Sequence, residues 1–284
     1  MKLRAMAKIN LGLDVVRRRE DGYHEVRMIM QTIRMYDSIE LTKLETPGIQ
    51  VTTNLRYLPV NEDNLVYRAA KLLMDEFHVE QGVKIRLEKF IPVAAGMAGG
   101  SADAAAVMVG VNRMFSLGLS KRALMERGVK IGADVPYCIL RGTALAEGIG
   151  EKLTALPKAP QAYVLIAKPP ISVSTKFVYE NLHLETLKEH PDINGVRAAI
   201  EAGDLKTMVS RMGNVLETVT IPAYPQIGAI KDCMLENGAL GAMMSGSGPT
   251  VFGIFEDRAQ GEQAKKALKA SGMAQIVYLT TFFN

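Results

Sequence analysis

Glycines between Pro92 and Ala106 are the residues whose spacing best suggests a chemical role. The segment reads PVAAGMAGGSADAAA, with glycines at positions 96, 99 and 100. Because glycine tolerates positive φ, we expect these residues to turn their backbone amides into one hollow. A hollow of amides at the N-terminus of a helix binds phosphate oxygens. The alternative is a glycine-rich turn that only connects a strand to a closely packed helix.

Three well-known phosphate motifs do not describe this segment. A Walker loop ends in Gly-Lys-Ser/Thr, whereas Gly100 is followed directly by Ser101. The dinucleotide spacing G-x-G-x-x-G fails here, and Gly246-Ser-Gly248 lacks the third glycine. The His-Arg-Asp and Asp-Phe-Gly signatures of protein kinases are absent.

Residues outside this segment could complete a reactive site. Lys8 and Asn10 alternate with apolar residues, so both lie on one face of a strand, which could also be a solvated face. Asp134 lies on a turn, because Pro136 favours an extended backbone at the preceding residue. An aspartate there is usually a turn residue and becomes a candidate base only with a partner. Residues 245–250 form either a loose hairpin or a close backbone approach to an anion.

The elements around these residues follow from the hydrophobic pattern. Alternation from Gly82 to Ile91 predicts a strand that enters the glycine segment, and the alanine-rich stretch after it predicts a helix. We expect Ser101 as the N-cap of that helix and Asp103 in its first turn. Other expected strands cover residues 5–16, 24–34, 37–43, 137–145 and 163–168, and other expected helices cover 64–77 and 121–132.

The last third of the chain is expected to be richer in helices. Helices are predicted over residues 176–184, 194–202, 205–219, 224–237 and 259–270, with a glycine-rich hairpin over 239–255 and a final strand over 275–281. This order of elements predicts a two-part α+β fold with a cleft between the parts.

Composition and charge exclude several classes of protein. The 284 residues are 48% hydrophobic and 23% charged, which is typical of a globular protein. We find neither a signal peptide nor the about 20 apolar residues of a membrane helix, so we expect a soluble, cytoplasmic protein. The basic run from Arg17 to Arg19 precedes Glu20 and Asp21, which favours a solvated turn over a nucleic-acid site. Two distant cysteines and four scattered histidines predict neither a disulfide nor structural zinc.

The full pattern P-x3-G-x-x-G-G-S-x-D/N-A-A resembles the ATP loop of the GHMP kinases, which include galactokinase, homoserine kinase and mevalonate kinase. The sequence departs from the commonest form at Met97, Ala98, Ala102 and Asp103, where the changes keep the backbone path. The resemblance covers the whole chain. It implies a ribosomal-protein-S5-like α/β part over residues 1–157, a ferredoxin-like α+β part over residues 158–284, and an active-site cleft between them.

Within that superfamily, Gly22-Tyr23-His24-Glu25 and Gln31-Thr32-Ile33 are similar to kinases whose acceptor is a cytidine diphosphate conjugate of methylerythritol, in non-mevalonate isoprenoid synthesis. The resemblance implies transfer of the γ-phosphoryl group of ATP to the 2-hydroxyl of that acceptor. Asp134 would take the hydroxyl proton, and Lys8 would pair with Asp134 and polarise the hydroxyl. The residues implied at the acceptor are Asn10, Tyr23, His24, Thr175 and Tyr179, with Phe177 as a rival of Tyr179 for stacking on cytosine.

The resemblance also implies a nucleotide site. Backbone amides would hold the α- and β-phosphates, Ser101 would contribute beside Mg²⁺, and Asn64 and Lys89 would line the adenine pocket. The ATP-binding loop implied is Pro92, Val93, Ala94, Ala95, Gly96, Met97, Ala98, Gly99, Gly100, Ser101 and Ala102, called the glycine loop below. No partner other than the small-molecule substrate is implied, and the chain would be a monomer or a weak homodimer.

Two alternatives remain open. The chain could be a GHMP kinase for a small alcohol such as homoserine or mevalonate; Tyr23 and His24 argue against this, because those substrates carry no base to stack. It could also be a catalytically silent nucleotide-binding paralogue, since a fold does not guarantee a function. Lys8 and Asp134 argue against that alternative, because a degenerate member would be free to lose them.

Overall fold

The structure is a computed structural model that describes residues 1–187 and 189–284. Its residues group into two compact units, each built from several segments of the chain. The first comprises Met1–Ala7, Met35–Val93 and Ala98–Arg141, and the second comprises Lys8–Arg34, Ala94–Met97 and Gly142–Asn284. Because neither unit is one continuous segment, the expected boundary after residue 157 stays a prediction.

Strands and helices are mixed along the whole chain. The strands are β1 (Lys2–Arg18), β2 (His24–Leu44), β3 (Ile49–Thr53), β4 (Gly82–Glu88), β5 (Thr143–Glu147), β6 (Lys152–Ala155), β7 (Tyr163–Lys168), β8 (Gly241–Met244), β9 (Val251–Phe255) and β10 (Ile276–Thr281). The helices are α1 (Leu65–Glu76), α2 (Gly99–Met114), α3 (Lys121–Gly128), α4 (Val135–Leu140), α5 (Thr175–Glu180), α6 (Ile193–Ala202), α7 (Leu205–Ser210), α8 (Glu217–Ala223), α9 (Gln226–Glu236) and α10 (Arg258–Ser271), with a short 3-10 helix at Leu184–Thr186. In the described part of the chain, none of the helices has the length and apolar character needed to span a membrane.

The first unit packs a sheet against the helix that follows the glycine loop. Ser38–Leu44 of β2 pairs antiparallel with Gly82–Glu88 of β4, and β3 lies parallel to β4 on its other edge. Helix α2 lies very close to this sheet, because a Cβ at Gly110 would stand 2.3 Å from Leu41 Cδ1. The strand that enters the glycine loop and the helix that leaves it thus belong to two layers packed closely against each other.

The stretch after Asp134 is a helix, so the strand expected over residues 137–145 is wrong. Helix α4 occupies most of this stretch, and β5 begins only at Thr143. Pro136 stands in the first turn of α4, where its missing N–H costs no hydrogen bond. The residues from Val135 to Ile139 are all buried, and a short apolar run does not distinguish a buried strand from a buried helix.

The second unit contains an antiparallel sheet in the order β10-β7-β9-β8. Helices α9 and α10 pack on this sheet. Every residue of β9 is buried, as are all residues of β7 except the first, which agrees with the apolar pattern VLIA of β7. The hairpin expected over residues 239–255 is confirmed as β8 and β9, joined by residues 245–250, called the hairpin turn below.

The single helix expected over residues 205–219 is wrong, because the chain forms α7 and α8 separated by residues 211–216. This connection runs beside β1. Leu13 N donates a hydrogen bond to Gly213 O at 2.8 Å, and Val215 N donates to Leu13 O at 3.0 Å. These backbone bonds to a strand replace helical ones, so the helix cannot continue.

Candidate active site

The backbone of the glycine loop alternates in the sign of φ. Ala94, Gly96 and Ala98 have positive φ values of 50°, 71° and 55°, with residues of negative φ between them. Such alternation directs successive amide hydrogens toward one concave side, which binds anions. Ala98 is also the N-cap of α2, and the first amides of that helix have no partner within the helix, which favours an anion there. The geometry supports the predicted phosphate site.

The loop glycines fulfil two different requirements. Only Gly96 has a positive φ, whereas Gly99 and Gly100 are ordinary helical residues of α2. A Cβ at Gly99 would stand 3.1 Å from Ile91 Cγ2, and one at Gly100 would stand 3.3 Å from Leu65 Cδ1. The expectation of positive φ is therefore wrong for these two residues, which are glycines because of close packing.

Ser101 is not the N-cap of α2. The helix starts two residues before Ser101, because Ala98 takes the left-handed conformation and lets the turn begin at once, without a side-chain cap. Asp103 consequently lies beyond the first turn. The hydroxyl of Ser101 remains available near the helix start. Mg²⁺ commonly takes one or two protein oxygens beside substrate phosphates, so one hydroxyl here fits such an ion.

Within the second unit, the hairpin turn contacts the part of the glycine loop from Ala94 to Met97. Ser245 Oγ donates a hydrogen bond to Gly96 O at 2.9 Å. A Cβ on Gly96 would stand only 2.0 Å from Ser245 O, so no side chain fits there. On the other side, Lys8 N donates to Met97 O at 3.2 Å, which ties the same segment to β1.

Sequence reasoning misses Asn214, which holds the hairpin turn in place. Its Nδ2 donates to Met244 O at 2.9 Å and to Gly246 O at 2.8 Å, and its Oδ1 accepts a bond from Leu216 N at 3.0 Å. The side chain is buried, so water does not compete for these bonds. Gly213-Asn214 is a local turn signal that could have revealed the helix break, although not its distant partners.

Lys8 and Asn10 lie on one face of β1, as predicted, and this face is buried. Lys8 is 5% exposed and Asn10 is 0% exposed, so the alternative of a solvated face is wrong. Lys8 Nζ donates to Asn10 Oδ1 at 2.7 Å, and Asn10 Nδ2 lies 3.4 Å from Met28 Sδ. Among the described residues of its unit, the Lys8 ammonium forms no ion pair. A buried cation with only a neutral acceptor favours an anionic partner.

Asp134 immediately precedes α4 in the first unit and is partly exposed. Its side chain makes no capping bond to α4. Within the described residues of that unit, its carboxylate takes part in no hydrogen bond or ion pair, so it is free to accept a proton from a ligand. Because Lys8 and Asp134 belong to different units, the pairing of the two stays a prediction.

Two of the residues expected at the acceptor are in contact. The rings of His24 and Tyr179 lie 5.0 Å apart between centroids, at an interplanar angle of 38°. Burial, with a smaller effect from the positive charge of Arg18, lowers the pKa of His24 below its usual 6.5. Tyr23 is 61% exposed and remains open to a ligand.

Helix α5 contains both Tyr179 and Phe177, the two candidates for stacking on cytosine. Phe177 is 38% exposed and takes part in none of the ring contacts observed among the described residues, which favours Tyr179 as the partner of His24. Thr175 Oγ1 lies 2.8 Å from Ser247 Oγ, so α5 is linked to the hairpin turn. The contacts of these residues with an acceptor stay predictions.

Asn64 and Lys89, the residues expected around adenine, both have protein partners. Asn64 is the N-cap of α1; its Oδ1 accepts from Val66 N at 3.1 Å, and its Nδ2 donates to Pro59 O at 2.7 Å. The Lys89 ammonium is buried between two aspartates. A direct bond from either side chain to adenine stays a prediction. Among the described residues, no cluster of three or more His, Cys, Asp or Glu side chains could hold a metal.

Two family models match the chain. The model of the GHMP kinases N terminal domain matches residues 64–142, which include all of β4, the glycine loop and Asp134. The model of the GHMP kinases C terminal matches residues 196–273, which include the hairpin turn. The predicted GHMP kinase fold is thereby confirmed.

Relatives extend the match over the full chain. The 4-diphosphocytidyl-2-C-methyl-D-erythritol kinase of Lachnospira eligens is 56% identical over 284 residues, which is 100% of this chain and 99% of the relative. The enzyme of the same name from Lachnoclostridium phytofermentans is also 56% identical over 284 residues, covering 100% of this chain and 98% of the relative.

Solved structures agree with these relatives. A crystal structure of 4-(cytidine 5'-diphospho)-2C-methyl-D-erythritol kinase matches with a TM-score of 0.86 and 31% identity, covering 100% of both chains. Homoserine kinase from Cytophaga hutchinsonii matches with a TM-score of 0.76 and 20% identity, covering 98% of this chain and 94% of its own, and shows the fold alone. The chain belongs to the 4-diphosphocytidyl-2-C-methyl-D-erythritol kinase family of the GHMP kinases.

Proposed function

We propose that the chain transfers the γ-phosphoryl group of ATP to the 2-hydroxyl group of 4-diphosphocytidyl-2-C-methyl-D-erythritol. The observation that carries the choice of acceptor is the contact between His24 and Tyr179, beside the exposed Tyr23. Stacking of a base on an aromatic side chain contributes about 1–3 kcal/mol. Homoserine and mevalonate carry no base, so a kinase for either would gain nothing from these rings.

His24 suits the hydrogen-bonding edge of cytosine. Because burial lowers its pKa, the imidazole is neutral at pH 7. A neutral imidazole donates at one ring nitrogen and accepts at the other, whereas a protonated one only donates. The cytosine edge offers both an amino donor and ring acceptors. His24 can therefore read the base, while the tyrosines contact its faces.

The reacting hydroxyl would lie between Asp134 and Lys8. Transfer of a phosphoryl group is largely dissociative, so the hydroxyl proton leaves late and a carboxylate needs good position more than high basicity. Asp134 has a carboxylate with no competing partner in its unit, which supports this role. The buried Lys8 ammonium, held by Asn10, would balance the charge of Asp134 and of the transferred phosphoryl group.

The glycine loop would bind the phosphates of ATP. The residues of positive φ at 94, 96 and 98 support an arrangement in which backbone amides, rather than a lysine, hold the α- and β-phosphates. Mg²⁺, when bound, would neutralise charge on the triphosphate oxygens, with Ser101 as its protein oxygen. We further propose a cytoplasmic monomer or weak homodimer that needs no nucleic-acid or membrane partner. Sedimentation of the purified protein would test its oligomeric state.

The test is ADP release from purified protein with ATP, Mg²⁺ and either the full acceptor or the same alcohol without its cytidine. We expect turnover only with the full acceptor and its loss in Asp134→Asn. Asp75→Asn removes an exposed carboxylate of the same unit, paired with Lys71 at 2.9 Å, and should leave turnover unchanged. Turnover indifferent to the cytidine would indicate another GHMP kinase. ATP binding without turnover on any alcohol would indicate a silent paralogue.

A further inference from the structure

A buried charge cluster lies beside the glycine loop in the first unit. It consists of Lys89, Asp37 and Asp103, whose side chains are 4%, 0% and 3% exposed, and it is called the Lys89 cluster here. The Lys89 ammonium donates to Asp37 Oδ2 and, at 2.7 Å, to Asp103 Oδ2. Its three members come from β2, from the residue after β4 and from α2.

The cluster holds the chain where it enters the glycine loop. Asp37 Oδ1 accepts hydrogen bonds from Phe90 N at 2.5 Å and from Ile91 N at 2.7 Å. Asn54 holds the backbone of Lys89 itself, accepting from its N at 2.8 Å and donating to its O at 3.1 Å. Three successive residues beyond the end of β4 are therefore fixed by side chains from outside the loop.

The same ammonium reaches the helix that leaves the loop. Asp103 is the fifth residue of α2, and a Cβ at Gly99 would stand 3.2 Å from Lys89 Nζ. The cation therefore lies directly against the first turn of α2. One side chain joins the entrance of the glycine loop to its exit.

Stability alone does not explain three buried charges. Apolar side chains of similar volume are often as stabilising as a buried ion pair, because they avoid the cost of removing charges from water. Asp103 Oδ1 also lacks a hydrogen-bond partner among the described residues. Burial, only partly offset by the charge of Lys89, raises the pKa of Asp103 well above its usual range.

We infer that Lys89, Asp37 and Asp103 are positioning residues that hold both ends of the glycine loop in the shape that binds the nucleotide phosphates. This inference rests on the proposed nucleotide role of the loop. Hydrogen bonds fix distance and direction between the strand end and the helix, whereas apolar contacts do not. Loss of the cluster should weaken nucleotide binding and leave acceptor binding unchanged.

The experiment is calorimetric titration of Lys89→Met and Asp103→Asn with ADP and, separately, with the acceptor. Lys89→Met should weaken ADP binding by about 10- to 100-fold, because displaced amides would lose hydrogen bonds to the charged phosphates. Asp103→Asn keeps an oxygen for the ammonium and should bind ADP like the wild type. Acceptor affinity should be unchanged in both. Lys71→Met removes an exposed lysine of the same unit and is the matched control.

Each outcome decides between a positioning role and a merely structural one. A Lys89→Met protein that melts at a lower temperature but binds ADP normally would overturn the inference, as would equal loss of ADP and acceptor binding. Asp103→Ala keeps Lys89 and its pair with Asp37, so a loss of ADP affinity in this variant would come from the position of the loop and not from a lost bond between Lys89 and adenine. Unchanged ADP affinity in Asp103→Ala would overturn the inference, also where Lys89→Met does not fold. Failure of the wild-type protein to bind ADP would instead contradict the proposed function.

Discussion

Replacement of Gly96 by alanine tests the contact on which the shape of the glycine loop depends. Gly96 has φ +71°, and an added Cβ would stand 2.0 Å from Ser245 O. Ordinary contact begins near 3.4 Å, so the two backbones must separate by about 1.4 Å. That movement would also break the 2.9 Å hydrogen bond from Ser245 Oγ to Gly96 O.

The chain offers a matched control for this substitution. Gly203 has φ +70° in the same unit, and a Cβ added there would meet nothing within 4 Å. The left-handed backbone costs an alanine about 1–2 kcal/mol, which both variants share. Gly96→Ala additionally loses a hydrogen bond contributing about 0.5–1.5 kcal/mol, plus the cost of the displaced backbone. We expect a loss in free energy of unfolding of about 2–4 kcal/mol for Gly96→Ala and about 1–2 kcal/mol for Gly203→Ala.

Urea unfolding followed by circular dichroism would measure both free energies, and calorimetry would measure ADP affinity. We expect ADP affinity to fall by at least about 10-fold in Gly96→Ala, because a loop displaced by more than 1 Å no longer matches the phosphates. Gly203→Ala should bind ADP like the wild type. Equal unfolding free energies in the two variants, with unchanged ADP affinity, would refute the close contact between loop and hairpin turn.

Three further predictions concern the acceptor and the reacting centre. Tyr179→Ala should raise the KM for the acceptor by about 5- to 150-fold without changing the KM for ATP. Phe177→Ala should change neither KM. Equal increases of the acceptor KM in the two variants would contradict the choice of Tyr179. The pKa of His24 lies below its usual value, so the side chain stays neutral above pH 6.5 and the KM for the acceptor should be constant there. The KM should rise only as the pH falls through that lowered pKa. The rise should be absent in His24→Asn. Below pH 6.5 the unfolded chain takes up a proton at His24 more readily than the folded chain does, so the wild type should lose more stability than that variant as pH falls. Lys8→Met should lower kcat by about 10²-fold or more while melting no earlier than the wild type, since an apolar side chain replaces a buried ammonium that pairs with no carboxylate among the described residues of its unit; a normal kcat would contradict its role.

Local sequence predicts the place of the glycine loop but not the way its backbone is shaped. The strand before it and the helix after it follow from periodicity and composition, and both are confirmed as β4 and α2. We expect positive φ at all three loop glycines, yet among them only Gly96 adopts it, together with Ala94 and Ala98. An alanine pays a local cost for that conformation, so tertiary contacts must impose it. Propensity rules describe the backbone conformation that a residue type prefers. They therefore do not predict a residue that tertiary contacts hold in another conformation.

Long-range contacts explain the other differences from prediction. Asn214 and Asp37 both hold backbone in or near the candidate site, but their partners lie 30 to 54 positions away along the chain. No periodicity connects residues so far apart. Single polar residues in apolar surroundings, such as Lys8 and Asn10, were recognisable because the strand alternation placed both on one face. Their burial was not predictable, since it depends on what packs against that face.

The shape of the glycine loop thus depends on two sets of distant residues, one within each unit. In the first unit, Asp37 and Lys89 hold the entrance, and in the second unit, Ser245 holds Gly96. A glycine motif alone would leave a flexible segment, because glycine loses more backbone entropy on ordering than any other residue. Fixing the loop through hydrogen bonds from outside removes that entropy cost before the nucleotide arrives. Preorganisation of this kind lets backbone amides hold phosphates without the lysine that a Walker loop uses.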